Sequence, residues 1–210
     1  MTIQIIGRSS SHFTRVTRIF ALELGVEHEL VPVFEITATD PRVFAGNPAL
    51  KIPTLKRSGT LLFGAENICR ALAELSPSGK RIVWPEQLTS DLSRNAHELL
   101  WHSMTAQVQL AIGTLVAKLP ADNLFFVKIR AGFEGALGWL EANLDSALAA
   151  MPAGRDLSLF ETALFCLVEH LSFRNTISTE PYPKLNAYTG RFGERDSARR
   201  TTYRFDAPPA

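Results

Sequence analysis

The sequence has only two cysteines and three tyrosines, and it lacks any apolar run long enough to span a bilayer. Cys69 and Cys166 are far apart and lie in apolar helical patterns, which indicates buried thiols in a reducing compartment and not a disulfide. The ligand spacings of zinc sites are absent as well. We therefore expect no metal and no membrane-spanning segment.

An excess of one charge is also missing, because 22 Lys and Arg stand against 21 Asp and Glu. The basic residues are scattered, so neither a nucleic acid nor a membrane surface is expected as a partner. The N-terminal apolar run has no basic region before it and no small-residue cleavage site after it, which argues against a signal peptide. We expect a cytoplasmic protein of one large domain or two small ones.

The first 76 residues have the pattern of an α/β domain. The apolar run Ile3 to Ile6 predicts a buried strand, and a helix with its apolar face on Phe13, Val16, Phe20 and Leu24 follows a loop of three serines. Residues 29–33 predict a second, parallel strand reached by a right-handed crossover. Residues 34–50 then predict an irregular segment with at most a turn or two of helix.

A hairpin and a helix complete this domain. Thr54 to Lys56 and Leu61 to Phe63 predict two strands around Ser58-Gly59, and a helix is expected from Glu66 to Leu75. Proline at a strand start has no N–H to donate, so Ile52-Pro53 can turn the Ile52 backbone toward an outside ligand. The unpaired N–H groups at the helix start attract a carboxylate. Together these features suit the capture of a small peptide.

The second half is expected to be helical. Residues 77–87 have the Pro, Gly and Ser content of a linker, and residues 88–210 are rich in helix formers. Two long helices are predicted over residues 88–118 and 122–151, with glycines at 132, 135 and 138 inviting a close neighbour. Ser158 to Glu161 predicts a capping box before a buried helix. The tail, residues 205–210, is expected to be loose.

The motifs as a set resemble the soluble glutathione S-transferase family over essentially the whole chain. They are S-S-S-H-F-T-R-V-T-R, N-P-A-L-K-I-P-T-L, A-E-N-I, S-L-F-E and Y-P-K-L-N-A-Y. The resemblance implies a thioredoxin-like N-terminal domain with the order β-α-β-α-β-β-α over residues 1–76, followed by an all-helical domain. It also implies glutathione as co-substrate, a role in detoxification and a homodimer.

The resemblance also implies roles for five residues. The backbone of Ile52, before a cis Pro53, would pair with the cysteinyl part of glutathione. Glu66 and Asn67 would hold the γ-glutamyl end, and Lys51 would meet the glycyl carboxylate. Asn67 departs from the family, which usually has Ser or Thr there. Because Asn is an equally good N-cap, binding is expected to weaken at most.

The catalytic residue of such enzymes is a Tyr, Ser or Cys near the start of the first helix. No Tyr precedes Tyr182 and no Cys lies in that loop, so the resemblance implies the serine type. Aligning F-T-R-V-T-R with the family favours Ser11, with Ser10 and then Ser9 as alternatives. A hydroxyl donor there would lower the pKa of the glutathione thiol. The competing interpretation is that the serine only caps the helix.

A small apolar electrophile is expected to bind between the domains, against the helix that contains Trp101, His102, Met104 and Thr105. Aromatic residues and Met at helical spacing more often belong to a core. Two other functions stay open. One is a glutathione-binding or protein-interaction module without catalysis, and the other is a glutathione-dependent isomerase or dehalogenase that uses the same thiolate.

Overall fold

A computed structural model describes residues 3–207 of the chain. Contacts divide it into two compact units, one made of the residues up to 80 together with those from 194 onward, and one made of residues 81–193. The sequence groups the last segment with the helical half, whereas its contacts are with the N-terminal unit. Within residues 3–207, no helix is both long and apolar enough to cross a bilayer.

The N-terminal unit is built on a four-stranded mixed sheet with the order β2-β1-β3-β4. β1 pairs in parallel with β2, and β3 pairs antiparallel with both β1 and β4. Helix α1 follows β1 and helix α2 follows β4, as the sequence predicts to within one or two residues. The bounds are β1 Gln4–Gly7, α1 His12–Glu23, β2 Glu29–Pro32, β3 Thr54–Arg57, β4 Thr60–Phe63 and α2 Ala65–Glu74.

The connection between β2 and β3 carries a single turn of 3₁₀ helix, Pro41–Phe44, capped by the Asp40 side chain. Phe44 is fully buried and packs with Ile6 and Val33 in a small core. This cluster fixes an otherwise irregular segment against the end of β1. The predicted domain with a thioredoxin-like strand and helix order is confirmed.

The described part of the C-terminal segment lies against α1 and contains the short helix α7, Asp196–Arg199. Thr201 and Tyr203 are buried in the same unit. Asp206 accepts a hydrogen bond from the Ser9 N–H at 2.8 Å, so the expectation of a loose tail is wrong at this residue. The end of the predicted tail, residues 208–210, lies outside the described residues.

The second unit is helical, with α3 Asp91–Leu110 and α4 Leu124–Ala149 as its longest elements. A π-helical turn, Ala111–Val116, continues α3. The prediction of an all-helical unit is confirmed, apart from two short strands, β5 Ile82–Val83 and β6 Leu157–Ser158, that pair in parallel. The remaining elements are a 3₁₀ turn Pro85–Gln87, α5 Leu159–Arg174 and α6 Pro183–Gly193.

Helix α5 is the buried centre of this unit, as its apolar sequence predicts. Ser158 caps it by accepting the Glu161 N–H at 3.0 Å, while the Glu161 carboxylate pairs with Arg155. The glycine prediction is wrong, because a Cβ at positions 132, 135 or 138 of α4 would meet nothing within 4 Å. These glycines lie on the exposed side of α4.

Candidate functional site

Strand register brings the three predicted site segments to one end of the sheet. Ile6 pairs with Thr54, so the serine loop that follows β1 lies beside the residues that precede β3. Thr54 in turn pairs with Phe63, and the Gly64 N–H donates to the Pro53 carbonyl at 3.3 Å. The start of α2 therefore lies next to the Ile52-Pro53 step.

The three serines of the loop have different environments. Ser9 and Ser10 are 1% and 2% exposed, whereas Ser11 is only partly buried. Ser11 is the N-cap of α1, because its Oγ accepts the Thr14 N–H at 3.2 Å. The capping interpretation is thus correct for Ser11. It does not conflict with a catalytic role, since an acceptor Oγ keeps its own O–H for donation.

Gly7 lets helix α1 begin close to the end of β1. A Cβ at this position would collide with the side chain of Thr14, in the first turn of the helix. The Arg8 N–H also lies near the Thr14 hydroxyl, at 3.4 Å. The close approach places the serine loop directly above the strand end.

Asn47 stabilises the tight loop that precedes Lys51, Ile52 and Pro53. The Asn47 amide donates to the Lys51 carbonyl at 2.8 Å, and its oxygen accepts the Ala49 N–H at 3.0 Å. The Ile52-Pro53 peptide bond is cis, as the resemblance implies. The Lys51 side chain is exposed and Ile52 is partly buried. This loop can offer an ammonium group and a backbone edge to a ligand.

The start of α2 differs from the prediction in its cap. Gly64, with φ of 86°, is the N-cap, and no side chain caps the helix. The expectation that Asn67 would act as the N-cap is wrong, because Asn67 is the third helical residue and its amide lies 3.4 Å from the Phe63 carbonyl. The N–H groups of the first turn therefore have no side-chain acceptor and can bind a carboxylate.

Glu66 lies in that first turn and pairs with Arg70 one turn later. Arg70 donates from Nε and Nη2 to Oε1 of Glu66, at 3.1 and 2.8 Å. The pair is about one-third exposed, which limits its strength. Its main effect is to orient the Glu66 carboxylate.

Asn47 and Asp206 support the site and were missed in the sequence. Asn47 had a usable signal, because Asn-Pro favours a turn that the Asn side chain can close. Asp206 had none, since it is separated by 197 residues from the Ser9 amide that it binds.

The residues predicted to line the electrophile site divide into core and surface. Met104 is fully buried in the helical unit and belongs to its core. Trp101 is partly buried and stacks on His97 with ring centroids 5.4 Å apart. His102 and Thr105 are exposed. Among residues 3–207, no group of three or more His, Cys, Asp or Glu side chains is placed to hold a metal ion.

Comparisons with known proteins agree with this geometry. The family model for the glutathione S-transferase N-terminal domain matches residues 10–75, which is most of the N-terminal unit. No curated protein sequence gives a significant match.

Solved structures match over nearly the whole chain. A glutathione S-transferase from Methylobacillus flagellatus KT with GSH bound matches with 20% identity and a TM-score of 0.74, over 96% of this chain and 100% of its own. A glutathione transferase family member from Pseudomonas fluorescens Pf-5 with bound glutathione matches with 20% identity and a TM-score of 0.75, over 96% of this chain and 99% of its own. Glutathione transferase F7 from Populus trichocarpa matches with 18% identity and a TM-score of 0.69, over 95% of this chain and 97% of its own. The chain therefore has the glutathione transferase fold.

Proposed function

We propose that the protein is a serine-type glutathione transferase, which activates the glutathione thiolate for attack on a small apolar electrophile. One observation carries the proposal. The sheet register and the Gly64 to Pro53 hydrogen bond bring the serine loop, the Ile52-Pro53 step and the open start of α2 to the same end of the sheet. The fold similarity to proteins solved with glutathione bound supports the same assignment.

In this proposal, charges and backbone groups hold the ends of the tripeptide. The N–H groups at the start of α2 bind the γ-glutamyl carboxylate, and Glu66 binds the α-ammonium through Oε2, because Arg70 occupies Oε1. The Lys51 ammonium meets the glycyl carboxylate. The Ile52 backbone pairs with the cysteinyl residue, and Asn67 contributes polar contacts beside Glu66.

Ser11 acts on the sulfur as a hydrogen-bond donor and not as a base. Its Oγ accepts from the Thr14 N–H, which leaves the hydroxyl proton free to donate to a bound thiol. A free thiol has a pKa of about 8.5, and a donor at a helix N-terminus lowers it. The thiol proton passes to solvent. The thiolate then forms a C–S bond with the electrophile, which releases its leaving group or takes up a proton.

We further propose that the helical unit provides the apolar wall for the electrophile. Trp101, His102 and Thr105 are the candidates on α3, since Met104 is buried in the core. By similarity we also propose a homodimer. A reducing cytoplasm as its location fits the two free cysteines, Cys69 and Cys166.

The test replaces Ser11 with Ala. Loss of one donor to the developing thiolate is expected to lower kcat by about 10²-fold and to raise the pKa of bound glutathione, with its dissociation constant unchanged. Ser11→Thr should restore most of the rate because it keeps the hydroxyl. Ser90→Ala, which removes the equivalent cap of α3, controls for the lost cap.

The measurements are conjugation rates over a panel of electrophiles and the ultraviolet absorbance of the bound thiolate. The proposal is wrong if millimolar glutathione neither binds nor raises the melting temperature. It is wrong in its serine assignment if Ser11→Ala keeps full activity while Ser10→Ala or Ser9→Ala loses it.

A second candidate is a glutathione-binding module that does not catalyse. The observation in its favour is that Ser11 has a structural task as the cap of α1, which would preserve the residue without any chemistry. Tight glutathione binding with no turnover over the panel would support this function. Isomerisation or dehalogenation by the same thiolate is the enzymatic alternative, and turnover of a substrate of either class identifies it.

A further inference from the structure

The C-terminal segment follows helix α1 from its last turn back to its first. Near the last turn, the Glu23 carboxylate accepts from the Ser197 hydroxyl at 2.6 Å and pairs with Arg195 at 3.4 Å. Near the start of the helix, Arg15 donates to the Ala198 carbonyl at 3.2 Å. These contacts set the direction of the segment toward the serine loop.

Arg15 fixes the next part of the segment from within the core. It is 2% exposed, and its Nε donates to the Thr201 hydroxyl at 3.3 Å. Its guanidinium also lies 4.3 Å from the ring centroid of Tyr203, a cation–π contact. Arg15 thus fixes the C-terminal segment as far as Tyr203, which is three residues before Asp206.

Asp206 makes the last contact, with Oδ2 at 2.8 Å from the Ser9 nitrogen. Ser9 is buried, so without this acceptor its N–H would lack a partner away from water, which is costly. Ser11 follows two residues later, in a turn closed by its own N–H donating to the Arg8 carbonyl at 3.1 Å. The position of the Ser9 amide therefore affects the position of Ser11.

Asp206 lies close to several arginines. The pKa of Arg18 is lowered by burial first, then by the positive charges of Arg204 and Arg15, while Asp206 opposes that shift. Asp206 is thus the negative partner within a group of arginines. An amide in its place could still accept from Ser9 but would not balance these charges.

We propose that Asp206 is a positioning residue, whose carboxylate holds the Ser9 N–H and so fixes the loop from which Ser11 acts on the glutathione sulfur. The catalytic part of this inference rests on the proposed transferase function. The structural part, that Asp206 immobilises the serine loop, does not.

The first experiment tests the structural part without any substrate. Amide hydrogen exchange is measured on peptides that cover residues 8–13 in the wild-type chain, Asp206→Ala and Asp206→Asn. Exchange is expected to become faster in Asp206→Ala and to be partly restored in Asp206→Asn. Asp196→Asn, an exposed carboxylate of the same segment, is the matched control. Unchanged exchange in Asp206→Ala would overturn the inference.

The second experiment tests the catalytic part. Asp206→Ala is expected to lower kcat about tenfold, because a small misplacement of Ser11 weakens its bond to the thiolate. KM for glutathione should hardly change, since the loop at residues 47–53 and the start of α2 are untouched. An unchanged kcat despite faster exchange overturns the positioning role, and so does an increased kcat, which would identify the segment as an obstruction. If the wild-type chain conjugates nothing, the proposed function fails while the exchange result still decides the structural part.

Discussion

The two halves of the candidate site differ in how far along the chain their supporting contacts reach. The half that would recognise glutathione is stabilised locally, because Asn47 binds the Lys51 carbonyl four residues away and Arg70 pairs with Glu66 across one helical turn. The half that would activate the thiol depends on a contact between residues 197 positions apart, Ser9 and Asp206. The C-terminal segment thus takes part in the contact that supports the serine loop, but not in these two local contacts.

This difference has a consequence for stability. A locally closed loop keeps its geometry when a distant segment detaches, whereas the serine loop loses an anchor as soon as the C-terminal segment opens. Local opening of that segment is expected to affect the chemistry before it affects glutathione binding. Substitutions in each half can test this separation.

The largest expected effect comes from Arg15→Met, which removes the buried anchor of the C-terminal segment. The free energy of unfolding should fall by about 2 to 4 kcal/mol, because the Ala198 carbonyl and the Thr201 hydroxyl lose their donor. Urea denaturation measures this loss. Hydrogen exchange should become faster in the serine loop but not in residues 47–53.

Arg200→Met is the matched control for Arg15→Met, since the Arg200 guanidinium is exposed and pairs only weakly with Asp196. It should change the unfolding free energy by less than about 0.5 kcal/mol. Equal acceleration of exchange in both loops of the Arg15 variant would contradict the proposed separation.

Asn47→Ala tests the local half. It removes a donor from the Lys51 carbonyl and an acceptor from the Ala49 N–H in a buried position, so the loop before Pro53 should loosen. We expect KM for glutathione to rise about tenfold with kcat little changed. Asn47→Asp keeps the acceptor but places a buried carboxylate against the Lys51 carbonyl, so its effect should be at least as large as that of Asn47→Ala. A fall in kcat without a change in KM would contradict the assignment of this loop to recognition.

The same distinction explains what could be predicted from the sequence. The hairpin around Ser58-Gly59, the helix start after Gly64 and the Ser158 cap each depend on residues within a few positions, and each was found. The contact of Asp206 with Ser9 was missed, because it depends on the path of the whole chain. No local pattern marks it.

Two errors have a different cause, which is that one sequence pattern fits more than one packing. The glycines of α4 have the spacing of a close helix contact, yet they face open space. Asn67 has the chemistry of an N-cap, but Gly64, whose φ is positive, takes the N-cap position three residues earlier. In both cases the residue type was compatible with the predicted role, but the residues around it in the folded chain do not provide the contacts that this role requires.

Glu23→Gln should give the smallest effect, and it tests the far end of the C-terminal segment. Burial raises the pKa of Glu23, but hydrogen bonds from Lys80 and Ser197 and the charge of Arg195 outweigh it and lower the pKa below its usual value. A lowered folded-state pKa contributes stability that is present above the unfolded-state value of about 4.3 and is lost as the pH falls through the folded-state pKa.

Glu23→Gln should therefore destabilise the protein by about 1 kcal/mol near neutral pH, and the difference from wild type should shrink as the solution is acidified. Urea denaturation across this pH range measures it, with the exposed Glu27→Gln as control. If the difference in unfolding free energy between Glu23→Gln and the wild type is the same at every pH, the interactions of the Glu23 charge with Arg195 and Ser197 do not contribute to stability. Glu23 lies at the opposite end of α1 from the serine loop. The kcat of Glu23→Gln should therefore fall only if the whole C-terminal segment detaches from α1 as one unit, including Asp206.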